Sequence, residues 1–534
     1  MILKRAVLYL LPLFVFTDCI RRDYYQTDAR YQPGPAEKLA PAPAGHVWAA
    51  IAPQYRKGRL HEWIWGTHYR VLWATPVPVK VLDVRRVHGG LVAQDLGGGL
   101  QTTSLALKDR EGRYFTLRTL DKDPSKALPK KLRNTFLGNI MRDQTSAGNP
   151  FGAFTLPPLT SAAGVYHTNP EMYYVPVGDN GLGNYSKFFA GKVVMLEEKF
   201  QGRESIVPAF GPATNLTDSE EMLKNRFKSN KYTVDQLAFA RARLFDVLIS
   251  DWDRHEGQWN WLEYQNKGTS QVTYKPLPKD RDQTFYQFDD GLLPWVVSQK
   301  FPAGKLKPFR HNVPDVEGLI YNSQFLDTRF LNELSAAQWV KMANDMKAAL
   351  TDDLLARSLA RMPDTIYQLE GKLILERLKT RVAALPGTAT EFYKLLAKKV
   401  TVVGTDEKEL FQVKRIDDQT TSVTVQSVPA NDHEKPRNLY YRVFHHPETR
   451  ELILHGLGED DEFIVEGSVG QGLKILIYGG LGADKITDRS QVKKGRPKTQ
   501  VFDTSRGNTL SLGEEGLDNT TPKVTVHAYD REGY

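Results

Sequence analysis

Apolar and polar residues alternate along residues 104–120 (SLALKDREGRYFTLRTL), with a polar break at Asp109-Arg110-Glu111-Gly112. A period of two interrupted by turn residues predicts a β-hairpin. Over residues 232–249 the period lengthens. Leu237, Ala240, Leu244, Val247 and Leu248 recur on one face, and Thr233 with Gln236 reads as a capping box, so a helix is expected. Helical periodicity returns over about residues 335–399, broken near Pro363 and Pro386. Beyond Val400 the chain turns to β-branched residues and glycine. Residues 452–467 (LILHGLGEDDEFIVEG) and 475–490 (ILIYGGLGADKITDRS) echo each other as strand, glycine-rich acidic turn, strand. That pattern predicts the coils of a parallel β-helix or roll. Asp460, Asp461 and Asp484 carry oxygens of the kind calcium takes, but two copies fall short of a calcium-binding array, and turn geometry is the better explanation.

Composition narrows the class. The 534 residues are 41% apolar, 25% charged and 10% aromatic. This describes an ordered globular chain of roughly two to four domains, and excludes a fibre or a disordered tail. The net charge is +8, but 71 Lys and Arg stand against 63 Asp and Glu with no dominant basic block, and no nucleic-acid motif is present. The N-terminus is more telling. Lys4 and Arg5 precede an apolar run from Ala6 to Phe16, and then comes Cys19, the chain's only cysteine. The run is too short to span a bilayer and predicts a signal peptide over residues 1–19. A sole cysteine at its end fits a lipid-modified site, although Asp18 stands where a small uncharged residue is usual. With one cysteine there is no intrachain disulfide. Residues 30–45 are rich in Pro and Ala and read as a tether within a linker over 20–60.

Phosphoryl transfer from a nucleotide needs glycines that let backbone approach phosphates, cations beside them, a catalytic aspartate near the acceptor hydroxyl and metal-binding carboxylates downstream. Candidates occur in that order. Gly97, Gly98 and Gly99 precede the hairpin, and Arg118 and Lys122 lie on and after its second strand. Residues 193–200 form an apolar strand ending in Glu197 and Glu198, which read as hinge or surface acids. Asp253-Arg254-His255 follows the predicted helix, and Asp280 and Asp282 follow an extended prolyl stretch. Two carboxylates two residues apart suit Mg²⁺ or Mn²⁺, which prefer oxygen ligands. Trp252, Trp259 and Trp261 read as packing around the Asp253 loop.

DWDRHEGQW resembles the D-R-H-x-x-N catalytic loop of atypical kinases: the HipA-type, lipid and secretory-pathway (CotH-like) kinases. GGGLQTTSLALKDREGRYFTLR resembles the secretory kinases' glycine-rich hairpin, and DRDQTF stands where those enzymes place a metal-binding aspartate. The blocks GGGLQTTSL, LRTLDKDP, YHTNPEMYYVP, RARLFDVLISDWDRHEGQW and PLPKDRDQTF are similar to those of large bacterial surface proteins. In that family the module is often joined to a calcineurin-like phosphoesterase and an outer-membrane β-barrel. Neither is expected here, since no GNH[ED]-type motif and no barrel-like strand repeats occur. The resemblance implies Asp253 as catalytic aspartate, Asp280 as principal metal ligand with Asp282 assisting, and Gln258 in the metal-binding Asn position. It also implies that Arg254 and His255 brace the loop. Arg118 stands where kinases carry lysine, and a glutamate to pair with it is not evident in the sequence.

The expected fold is α+β. A bilobal atypical-kinase-like core, with an N-lobe over 61–200 and a largely helical C-lobe over 201–386, is followed by a β-rich domain over 387–534. The expected function is metal-dependent phosphotransfer from ATP, with Mg²⁺ or Mn²⁺, to an unknown hydroxyl acceptor. The expected place is the periplasm or outer membrane, with membrane contact through a lipid anchor at Cys19 and no nucleic acid as partner. The alternative is a catalytically inactive kinase fold that binds or assembles outer-membrane proteins, split from a longer phosphoesterase/β-barrel-type surface protein.

Overall fold

The computed structural model describes residues 24–35, 39–97, 103–299, 303–429, 434–495, 498–523 and 528–533. The expected signal peptide with Cys19, and Gly98 and Gly99 of the glycine triplet, lie outside the described residues.

Seven strands form the first sheet: β1 (His46–Ala49), β2 (Val77–Val81), β3 (Val92–Gly97), β4 (Ser104–Lys108), β5 (Tyr114–Thr119), β6 (Glu171–Tyr174) and β7 (Val193–Lys199), in the order β1-β2-β6-β7-β5-β4-β3. The expected hairpin is β4–β5. Its alternation buries Leu105, Leu107, Phe115 and Leu117 on one face, and Asp109 closes the turn by accepting from the backbone N–H groups of Glu111 and Arg113. Strand β1 falls within the stretch read as linker. His46–Ala49 pairs with β2, and Ala29, Ala49 and Tyr55 are buried, because that stretch carries enough apolar residues to join the core. Two short helices flank this sheet, α1 (Arg59–Trp65) and α2 (Phe136–Asp143).

A second sheet holds β8 (Asn215–Asp218), β9 (Tyr232–Val234), β10 (Trp259–Gln265) and β11 (Val272–Pro278), in the order β8-β10-β11-β9. Helix α3 (Gln236–Leu248) starts where a helix was expected, but its cap is Asp235, whose carboxylate accepts from the Ala238 N–H at 2.9 Å. Thr233 pairs instead with Thr273 in the sheet, and Gln236 reaches Asn332. Phe239, Leu244, Phe245 and Leu248 are buried around most of the helix, which explains why its apolar residues exceed a single stripe. Helix α4 (Leu292–Ser298) is followed by α5 (Ala336–Ala349), α6 (Asp352–Leu359), α7 (Lys372–Ala383) and α8 (Leu385–Ala397). Ser335 and Gln338 form a capping box on α5. Pro386 lies in the first turn of α8, where a missing N–H costs nothing, so it restarts a helix that runs on past residue 387.

The C-terminal residues form two larger sheets and a two-stranded one, Ser468–Val469 with Gln491–Val492. The first contains β12 (Lys399–Val403), and the second opens with β13 (Glu409–Arg415), β14 (Thr420–Ser427) and β15 (Asn438–His445). Strands β16 (Glu451–Gly458), β17 (Glu462–Glu466), β18 (Ser468–Val469), β19 (Lys474–Leu481), β20 (Lys485–Asp488), β21 (Gln491–Val492), β22 (Thr499–Phe502), β23 (Thr509–Leu512) and β24 (Gly516–Asp518) complete the set. Strands β12-β16-β19-β22-β24 pair in parallel, as do β13-β17-β20-β23 in the facing sheet. Leu452 stands beside Ile475, which stands beside Thr499, so the two echoing segments stack as successive turns. Phe411, Val413, Leu452, Phe463, Ile475 and Ile477 fill a core of their own.

The acidic turns are built into this stacking. Asp461 accepts from the Glu409 N–H and Asp484 from the Asp461 N–H, each at 2.8 Å. A side chain at Gly479 would collide with the Asp484 and Asp503 carboxylates, so glycine is required there. No group of three or more His, Cys, Asp and Glu side chains suited to a metal ion occurs among the described residues. No described helix is long and apolar enough to cross a membrane.

Candidate active site

Strand β11 ends in Pro276-Leu277-Pro278, and Asp280-Arg281-Asp282 beyond it meets the end of β5 in the first sheet. Asp280 has φ +54°, in the left-handed region, and this kink sends successive side chains in different directions. Asp280 turns to Arg118 on β5, with 2.6 Å from Oδ1 to Nη1. Arg281 turns into the core, where Nη1 meets Oδ1 of the fully buried Asp246 at 2.5 Å. Asp282 pairs with Lys122 just beyond β5. Arg254 locks the neighbouring loop to this segment: it donates to the carbonyls of Lys279 and Asp280, each at 2.7 Å, and pairs with Asp251 at 2.9 Å. The expected bracing role of Arg254 matches this geometry.

Asp280 and Asp282 share two cations and titrate in opposite directions. Burial by itself would raise Asp280, but Arg118 and Lys122 outweigh it and hold the carboxyl well below the usual range. Burial, together with the Asp280 charge, pushes Asp282 up. Arg118 has a second carboxylate partner in Glu197 on β7. In the β5–β7 register Arg118 stands opposite Met195, so Glu197, two residues on, shares its face. Glu197 also accepts from Thr168 Oγ1 at 3.0 Å and is 5% exposed. From the sequence no glutamate is evident to pair with the strand cation, and Glu197 reads as a hinge or surface acid. Strand pairing places it inside, on Arg118.

A cleft of about 340 Å³ lies beside these pairs, lined by Arg118, Lys122, Trp252, Asp253, Asp282 and Tyr286 among others. Ile140 and Met141 of α2, with Trp73, Phe154 and Met195, supply an apolar wall. Asp253 accepts from Asn322 Nδ2 at 3.1 Å, and Asn322 Oδ1 accepts from Lys305 at 3.0 Å. Lys305 also sits 5.3 Å from the Trp252 ring centre. Trp259 and Trp261 are fully buried and pack on Phe239, as their packing role requires, whereas Trp252 faces the cleft.

The structure therefore brings Arg118, Lys122, Asp253 and Asp282 to one cleft, with Asp280 behind Arg118. Gln258 is elsewhere: it follows the turn after His255, its Nε2 lies 3.5 Å from His255 Nε2, and it does not line the cleft. Gln258 was expected in the metal-binding Asn position; the amide that meets Asp253 is that of Asn322. Asn322 and Lys305 had no signal in the sequence, since both lie far downstream in single helical turns too short to show a period. Gly97 pairs with Ser104 at the end of the β3–β4 ladder and is not part of the lining.

No protein-family model matches the chain, and no curated protein matches it in sequence. Among solved structures the chain is similar to the Helicobacter pylori proinflammatory kinase CtkA, at 12% identity over 54% of this chain and 93% of that one, with a TM-score of 0.27. It is also similar to the Rio2 kinase-ADP/Mg²⁺-phosphoaspartate complex from Chaetomium thermophilum, at 12% identity over 56% of this chain and 71% of that one, with a TM-score of 0.25. The fold is mixed α+β and both of these neighbours are kinases. Overlaps this loose carry no weight for activity, which rests on the cleft.

Proposed function

We propose that the chain is an atypical-kinase-like phosphotransferase of the cell envelope, moving a phosphoryl group from ATP to a hydroxyl acceptor with Mg²⁺ or Mn²⁺. In this reading the first sheet and the α3–α8 region are the two lobes. The C-terminal sheets are a short β-helix, and residues 1–19 export the chain and lead to a lipid anchor at Cys19. The supporting observation is the convergence of two cations from one strand end with two carboxylates from separate loops on a single cleft.

The residues suit the groups they would hold. Asp253 and Asp282 offer the oxygen donors that hard cations prefer. Arg118 Nε is buried without an acceptor, a spare donor for an anionic oxygen beside the cleft. The apolar wall is of a kind that takes a planar base. Asp282, with Asp280 behind it, would hold the metal, which when bound neutralises phosphate charge. Arg118 and Lys122 would steady the phosphates. Asp253, positioned by Asn322, would orient the acceptor hydroxyl and take its proton as the new P–O bond forms and the bond to the nucleoside diphosphate breaks.

A thermal-shift titration with ATP and Mg²⁺ or Mn²⁺ tests the reading. The melting midpoint rises with both present and fails to rise in Asp282→Asn; a wild-type chain indifferent to ATP and either metal contradicts it. One observation favours the second reading, a catalytically inactive binding platform: Asp280 and Asp282 already pair with Arg118 and Lys122, and Gln258 points away. That platform predicts no shift, and Asp253→Asn would then change nothing but stability.

A further inference from the structure

Helix α1 is apolar on the side that meets nothing. None of its residues is buried. Its inner side is pinned by His61, 3.0 Å from Asp143 Oδ2, while Asp143 is itself gripped by two bonds from Arg70. Its outer side presents Leu60, 73% exposed, and Trp63, 63% exposed. Helix α4 continues this surface. Its cap Gly291 abuts Gly66 so closely that an added Cβ would overlap the Gly66 backbone, which joins the end of α1 to the start of α4. There Leu292, Trp295, Val296 and Val297 are exposed, Trp295 at 52%. Scattered exposed apolar residues need no cause, but two adjoining helices that each turn a tryptophan outward form a patch that does.

Basic residues outnumber free acids around the patch. Arg56 and Arg59 precede and open α1, and neither has an ion pair among the described residues. Trp65 meets Phe136 edge-on, with ring centres 6.2 Å apart, which draws in the exposed Leu137 and the exposed Lys130 and Lys131 just upstream, also without ion pairs. Of the acids on these elements, Asp289 is tied to Arg310 and Asp290 to His68, which leaves Glu62 as the acid nearest Trp63. A second copy meeting this face across a two-fold axis would set Arg56, Arg59, Lys130 and Lys131 against their own kind. An anionic surface would instead neutralise them.

We propose that the α1–α4 face docks on an anionic phospholipid bilayer, with Trp63 and Trp295 at the headgroup boundary and the basic rim on the lipid phosphates. This contact is separate from any lipid on Cys19 and does not depend on phosphotransfer. Because Cys19 is the only cysteine, Cys19→Ser gives a full chain free of both acyl chain and thiol. Leu60→Cys on the patch, or Tyr441→Cys on the C-terminal sheet, then carries a polarity-sensitive dye. With phosphatidylglycerol vesicles at low salt, the dye at 60 shifts to the blue and the dye at 441 does not. Adding Trp63→Ser and Trp295→Ser removes the shift while the melting midpoint stays that of the parent, and phosphatidylcholine vesicles give a much smaller one. The proposal is overturned if the dye at 60 ignores phosphatidylglycerol. It is equally overturned if that dye shifts without vesicles as protein concentration rises, which would make the occupant a second copy. Tethering by the N-terminal apolar run alone leaves the dye at 60 silent, so it counts against the proposal.

Discussion

Beside the cleft, Asp280 is held ionised by Arg118 and Lys122 although burial favours its neutral form. In the C-terminal coils the same residue type meets the opposite fate. Burial, with Glu409 nearby, pushes Asp461 up to about 9, and burial with Asp503 nearby pushes Asp484 up to about 7. Among the described residues no cation pairs with either coil carboxyl, and each has an oxygen on a backbone N–H of the stack. Buried acid is therefore no mark of chemistry in itself. What separates the two regions is an opposed cation, present at Asp280–Asp282 and missing, among the described residues, at Asp461–Asp484.

Substitutions that keep shape and remove charge test this contrast most strongly. Asp253→Asn is expected to lower phosphotransfer by about 10²–10⁴-fold with an unchanged melting curve, whereas Asp484→Asn leaves turnover intact. A turnover assay with both variants breaks the comparison if the coil variant loses as much as the cleft variant. Next in size is Arg118→Met, which leaves Glu197 and Asp280 facing each other without their cation. Unfolding by urea should show a loss of about 3–5 kcal/mol, partly restored by adding Glu197→Gln.

The pH dependence has a definite sign. Unfolded aspartate releases its proton near pH 3.9, while folded Asp484 and Asp461 keep theirs to about 7 and about 9. Between those values the folded state binds more protons, so the stability these groups contribute is full below about pH 4 and is lost as pH rises through 7 and then 9. Thermal melts of the wild type should therefore fall from pH 5 to pH 9, and Asp461→Asn should flatten that fall. The smallest effect is expected for Gln258→Ala. Because that side chain faces His255 and not the cleft, nucleotide affinity measured by titration should stay within about twofold, below the ~1.4 kcal/mol that a tenfold change requires.

Much of this was legible from periodicity. The β4–β5 hairpin, helix α3 and the stacked turns at 452–490 all follow local patterns of two, of three to four and of repeated segments. The Asp253 loop and the Asp280–Asp282 pair were legible because their residue types fall in a sequential order that the chemistry demands. What the sequence could not show depends on pairing between distant segments. Glu197 joins Arg118 only through the β5–β7 register, and Asn322 reaches Asp253 from a single helical turn far downstream. Strand β1 was hidden directly after a Pro- and Ala-rich stretch that resembles a tether. The exposed side of α1 was hidden for another reason: its period is that of any amphipathic helix, and only the fold shows which side lacks a partner.

The most direct measurement is a calorimetric titration of ATP with Mg²⁺ into the wild type, Asp282→Asn and Asp484→Asn. One site per chain in the wild type and in Asp484→Asn, with binding lost in Asp282→Asn, is the predicted result. Absence of binding to the wild type, or equal binding by all three chains, would contradict the assignment of the cleft.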